Sequence, residues 1–89
     1  MEFVVSFSEA KEKVKALKKV PTNEEKALLY GLYKQATVGN INIQQPFILS
    51  FVETTKWNAW NKQKDKSTDE AETEYIETVA ALINKYGTS

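Results

Sequence analysis

The sequence predicts an all-α fold, a four-helix bundle, and three observations lead there. The pattern Ser/Thr-x-x-Glu occurs four times, at Ser6/Glu9, Thr22/Glu25, Ser50/Glu53 and Ser67/Glu70. In such a capping box the hydroxyl and the carboxylate satisfy backbone donors that the first helical turn leaves unpaired. Each box precedes a stretch with helical periodicity, in which apolar residues recur three and four positions apart. Pro21, Gly39 and Gly87 then fall at the ends of these stretches, where a helix must stop.

Eighty-nine residues suit one domain, taken as 1–89. A chain of this size buries roughly 60–70% of its unfolded surface, enough for a single modest core. The absence of cysteine excludes disulfides and thiolate chemistry, and the absence of histidine removes the commonest general base and metal ligand. No basic region precedes an apolar run at the N-terminus, so no signal peptide is expected. No apolar stretch approaches the ~20 residues of a membrane span. The expected setting is soluble and cytoplasmic.

Twelve lysines balance twelve acids, with no arginine. Lys11, Lys13, Lys15, Lys18 and Lys19 crowd the first helix, whereas Asp69, Glu70, Glu72, Glu74 and Glu77 crowd the last. A neutral total argues against a nucleic-acid partner.

In chain order, Phe3, Phe7, Ala10, Val14 and Leu17 form the apolar stripe of the first helix, with Phe3 fitting the stripe ahead of the Ser6 box. Pro21 stops that helix. The second is expected over 23–38, closed by Gly39 in a left-handed cap. Residues 40–49 form the longest connection. Its apolar Ile41, Ile43, Phe47, Ile48 and Leu49 predict an ordered loop packed across the bundle, and its length lets the second and third helices run parallel. The third helix is expected over 51–62, with Trp57 and Trp60 on one face. Lys64-Asp65-Lys66 reads as a charged turn. The fourth runs over 68–86, with Ala71, Tyr75, Val79, Leu82, Ile83 and Tyr86 as its stripe and Gly87 past its end.

The second helix carries the chemistry. Helical spacing groups Tyr30, Tyr33 and Lys34 on one patch, leaving Leu28, Leu29, Leu32 and Ala36 for a core. A base can stack on a phenol, and a phosphate can pair with an ammonium and a phenol hydroxyl. Tyrosines at this spacing suit an amphipathic core edge equally well.

The run Tyr30-Gly31-Leu32-Tyr33-Lys34-Gln35-Ala36-Thr37-Val38-Gly39, with the downstream Lys56-Trp57-Asn58-Ala59-Trp60, resembles the acyl-CoA-binding protein family. The resemblance extends from Phe7 to Gly87. It implies an up-down-down-up bundle that carries medium- to long-chain acyl-CoA esters as a monomeric intracellular carrier and pool former, with no catalysis, no cofactor and no metal. Acyl-CoA-using enzymes and membrane surfaces would be transient partners. By the same resemblance Tyr30, Lys34 and Lys56 grip the ribose 3′-phosphate and the adenine stacks on Tyr33. Lys15 matches a basic position that contacts the nucleotide, and Tyr75 a tyrosine at the ligand surface.

The chain departs from the family at Val20, where lysine is usual, and at Lys26, Ala27 and Thr55, which stand where the family tends to line its acyl channel with apolar residues. Lys26 can still lay its methylene stem along a chain and keep its ammonium wet. Two other readings stay open on the residues alone. An acyl-transfer enzyme would need a nucleophile with an adjacent base, which no His or Cys supplies. A helical protein-interaction module without acyl-CoA affinity would use the exposed Tyr and Trp residues to recognise a partner helix.

Overall fold

A computed structural model describes residues 6–45 and 50–88. Four α-helices appear among them: α1 (Phe7–Lys13), α2 (Asn23–Thr37), α3 (Phe51–Asn61) and α4 (Thr68–Tyr86). Each of the four expected boxes caps its helix. Ser6, Thr22, Ser50 and Ser67 accept hydrogen bonds from the backbone N–H of Glu9, Glu25, Glu53 and Glu70. Only at α2 does the glutamate also reach back, Glu25 Oε1 accepting from the Thr22 N–H at 2.8 Å.

The contacts fix the helix directions. Lys85 and Tyr86 at the end of α4 bond to Glu25 at the start of α2, so these two are antiparallel. The Lys18 N–H, after α1, donates to the Gly87 carbonyl after α4, so α1 and α4 run together. Ala59 of α3 meets Gly31 of α2, while Phe51 and Asn23 line the same groove near the starts of their helices. Those two helices are therefore parallel, and the path is up-down-down-up.

The core lies between α1, α2 and α4. Leu32, Val79 and Ala10 are fully buried there, with Leu29, Tyr75, Leu82 and Ile83 around them. Among the helices α3 leans on α2 alone. It is a flank to the core, and that geometry is what opens a groove.

The first helix differs from expectation at its end. Its stripe continues to Leu17, but α1 stops at Lys13 and tightens into a 3-10 turn over Val14–Ala16. Leu17 is extended and pairs with Thr88 in an antiparallel bridge, which a continuing helix could not do. Phe3 and the segment Phe47-Ile48-Leu49 lie outside the described residues. In the described part of the connection, Ile43 is 56% exposed, so burial of its side chain is not what holds the loop. Backbone contacts do: Trp57 Nε1 donates to the Ile43 carbonyl at 3.1 Å and Trp60 Nε1 to the Gly39 carbonyl at 2.8 Å.

Part of the motif is structural. Gln35 is buried, and its Nε2 donates to the Lys66 carbonyl at 2.7 Å and to Asn40 Oδ1 at 2.9 Å. Asn40 Oδ1 also accepts from the Asp65 N–H at 2.7 Å. Asp65 stands at φ +73°, a left-handed position that costs a non-glycine residue energy, and this network holds it there.

Candidate functional site: a groove beside a cationic phenol patch

Asn23, Ala27 and Gly31 recur four apart along α2, facing Phe51, Thr55 and Ala59, four apart along α3. At one end the seam is shut. A Cβ added to Gly31 would lie 2.2 Å from the Ala59 carbonyl oxygen, so only glycine lets the two backbones touch. Towards the helix starts the seam opens into a groove of about 400 Å³. Lys26, Ala27 and Tyr30 form one wall, Val52, Thr55 and Lys56 the other. Thr55 brings no unpaired hydroxyl to this surface, because its Oγ1 donates to the Phe51 carbonyl at 2.8 Å.

Cations over aromatic rings mark the head of the groove. Lys56 Nζ lies 5.5 Å from the Tyr30 ring centroid, bridging α3 to α2. Lys34 Nζ lies 5.0 Å from the ring of Trp60, which is only 3% exposed and anchored through its indole N–H. The placement of Lys34 is thus set by a rigid buried ring.

A second aromatic group adjoins it at the α1/α2/α4 junction. Tyr33 stacks on Phe7 with centroids 6.0 Å apart and an interplanar angle of 20°. Tyr75 meets Phe7 edge-on at 5.0 Å and Tyr33 at 6.4 Å. Burial raises the Tyr75 phenol pKa, and the neighbouring Tyr33 adds to the rise, so this hydroxyl stays neutral. Tyr33 itself is 37% exposed, leaving ring surface for a ligand. Lys11 Nζ stands 5.3 Å from the Phe7 centroid and 5.9 Å from that of Tyr33.

The patch expected on α2 is therefore divided. Tyr30 and Lys34 turn to α3 and join Lys56, while Tyr33 turns to α1 and α4 and joins Tyr75. At 3.6 residues per turn, successive residues point about 100° apart, which separates Tyr33 from Lys34. Lys15, in the 3-10 turn that follows α1, has a side chain 71% exposed that pairs with Glu12 at 3.6 Å. Phe7 and Lys11 were legible only as core stripe and solvated lysine, although their four-residue spacing places them on one face. Val52 had no signal beyond being apolar.

Three of the site's cations have no ion pair among the described residues. Among the described residues Lys13, Lys15, Lys66 and Lys85 form ion pairs, whereas Lys11, Lys34 and Lys56 face rings instead. Ring faces attract a cation without consuming its charge, so all three can still meet a phosphate. No cluster of His, Cys, Asp or Glu able to hold a metal occurs among the described residues. Among the described residues no helix is long and apolar enough to cross a membrane.

Fold and site together define a small all-helical ligand-binding domain, with a cationic, phenol-bearing head region opening onto an apolar groove. The family model described as "Acyl CoA binding protein" matches residues 5–79. The chain is 47% identical over 83 residues to an acyl-CoA-binding protein of Brassica napus, covering 93% of this chain and 90% of that one. It is 48% identical over 80 residues to an acyl-CoA-binding protein homolog of Drosophila melanogaster, covering 90% and 93%. Among solved structures, acyl-CoA-binding protein 2 of Oryza sativa superposes with a TM-score of 0.83 at 44% identity, over 89% of this chain and 88% of that one. This chain belongs to the acyl-CoA-binding protein family.

Proposed function

We propose that this protein binds medium- to long-chain acyl-CoA esters and serves as their carrier and pool former, working as a cytoplasmic monomer without catalysing their turnover. The observation that carries the reading is the adjacency of Tyr30 and Lys56 to the apolar groove, with Lys34 one turn further along α2. The ribose 3′-phosphate is taken by Lys34, Lys56 and the Tyr30 hydroxyl, and the adenine by the exposed part of the Tyr33 ring. Tyr75 lies tilted beside that ring, with centroids 6.4 Å apart. Lys15, whose exposed ammonium pairs with Glu12, adds a positive charge for the nucleotide.

The tail supplies the discrimination. Each buried methylene contributes about 0.8 kcal/mol, so a dozen carbons outweigh the ordering costs by several kcal/mol. Free CoA keeps the charged contacts and loses that sum. A chain without His or Cys offers no ready nucleophile–base pair for attack on the thioester, which suits a carrier.

Calorimetric titration with hexadecanoyl-CoA, CoA and hexadecanoate tests this. The ester should bind far more tightly than either fragment, with no free thiol appearing on prolonged incubation. Equal affinity for ester and CoA would refute a two-part site, and steady thiol release would refute the carrier role.

A further inference from the structure

The seam between α2 and α3 has a second side. Opposite the groove described above lies a cavity of about 530 Å³, larger than the first. Leu28 on α2 and Asn58 and Lys62 on α3 form its own walls, and it shares Asn23, Ala27, Phe51 and Thr55 with the front groove.

We infer that the distal methylenes of a long acyl chain cross the open seam at Ala27 and Thr55 and lie in this rear groove, making it a second subsite for the tail. The inference rests on the acyl-CoA reading above. Length is the first reason for it. From Tyr30 to Asn23 the front groove spans seven residues of α2, about 10 Å at ~1.5 Å per residue. An extended chain advances roughly 1.2 Å per bond, so about eight methylenes fill that distance. A longer chain must leave the front groove.

Its exit is set by the seam residues. Alanine at position 27 and a threonine whose hydroxyl is bonded to its own helix leave the crossing small and without a free hydroxyl donor. Further along, Gly31 against Ala59 closes the seam, so the crossing is confined to the open end. Beyond it, Leu28 is 42% exposed and Phe51, common to both grooves, is 80% exposed. Large apolar side chains in water at a cavity wall gain by covering an alkyl chain. Glu24 and Lys62 also line this cavity, and both can keep their charges in water at its rim.

Octadecanoyl-CoA carrying a nitroxide near its thioester or near its methyl end distinguishes the routes by paramagnetic broadening of assigned amide signals. The thioester-end label should broaden Val52 and Lys56, and the methyl-end label Leu28 and Asn58. In parallel, Leu28→Glu should weaken hexadecanoyl-CoA at least tenfold, at about fourfold per displaced methylene, and leave octanoyl-CoA unchanged. A methyl-end label that broadens only Lys26 and Val52 overturns the crossing. So does a Leu28→Glu protein of unchanged helicity that binds both esters as the parent does, or both equally worse. If the parent binds neither ester better than CoA, the acyl-CoA reading itself has failed, and the crossing with it.

Discussion

Gly31 of α2 and Ala59 of α3 are in backbone contact, so close that a methyl group on Gly31 would lie 2.2 Å from the Ala59 carbonyl oxygen. This one approach sets how far apart the two helices stand along the rest of the seam, and hence the width of the groove. Gly31→Ala should therefore act as an overpacking substitution, costing about 1–3 kcal/mol despite the better helix propensity of alanine. Urea denaturation checks the loss. A gain in stability would mean that the helices part at no cost and that the seam does not set the groove.

Head and tail are separable. Lys34→Ala removes a charge-assisted contact, worth roughly 1.5–3 kcal/mol, and should weaken every acyl-CoA by about 10- to 150-fold whatever its chain length. Lys26→Leu touches only the groove wall and should change the dependence on chain length while leaving CoA affinity intact. Titrating both variants over a series of esters checks this, and exchanged effects would show that head and tail have been assigned the wrong way round.

Glu25 joins the ends of α2 and α4. The Tyr86 hydroxyl, then the Thr22 N–H, then the Lys85 ammonium hold its carboxyl down at about 2, from an ordinary 4.5. A carboxylate depressed on folding contributes stability that is complete above its unfolded value and is lost as pH falls through its folded value. Stability should thus decline from about pH 4.5 to about pH 2. Thermal unfolding should show Glu25→Gln less stable than the parent at neutral pH and less sensitive across that window. An identical pH slope for both proteins would contradict the assignment.

Gln35 should be irreplaceable by an isosteric apolar residue. Gln35→Leu leaves the Lys66 carbonyl without its side-chain donor and releases Asn40 from one of its bonds, at a cost of about 1–3 kcal/mol. Chemical denaturation reads the cost directly, and faster amide exchange in the 62–67 turn would place it there.

The helices were legible because capping and periodicity are local. Thr22, Ser50 and Ser67 mark the starts of α2, α3 and α4, and Gly87 at φ +76° marks an end, all within a few residues of the signal. The end of α1 was not, since Leu17 is drawn out of the helix by Thr88, a partner from the far end of the chain. The same division holds at the site. Tyr30, Lys34 and Lys56 were readable from contiguous motifs. Phe7 and Lys11 became visible only once α1 was laid against α2, and the role of Gly31 only once Ala59 was opposite it. Gln35 and Gly39 belong to the motif that suggested a ligand, yet in the structure they anchor the turn before α4 and the ring of Trp60.

The most direct measurement is a crystal structure of the protein with hexadecanoyl-CoA. It should place the 3′-phosphate within hydrogen-bonding distance of Lys34 and Lys56, the adenine against Tyr33, and the first methylenes between Tyr30 and Val52. An adenosine 3′-phosphate bound anywhere else on the bundle, with Lys34 and Tyr33 untouched, would contradict the account.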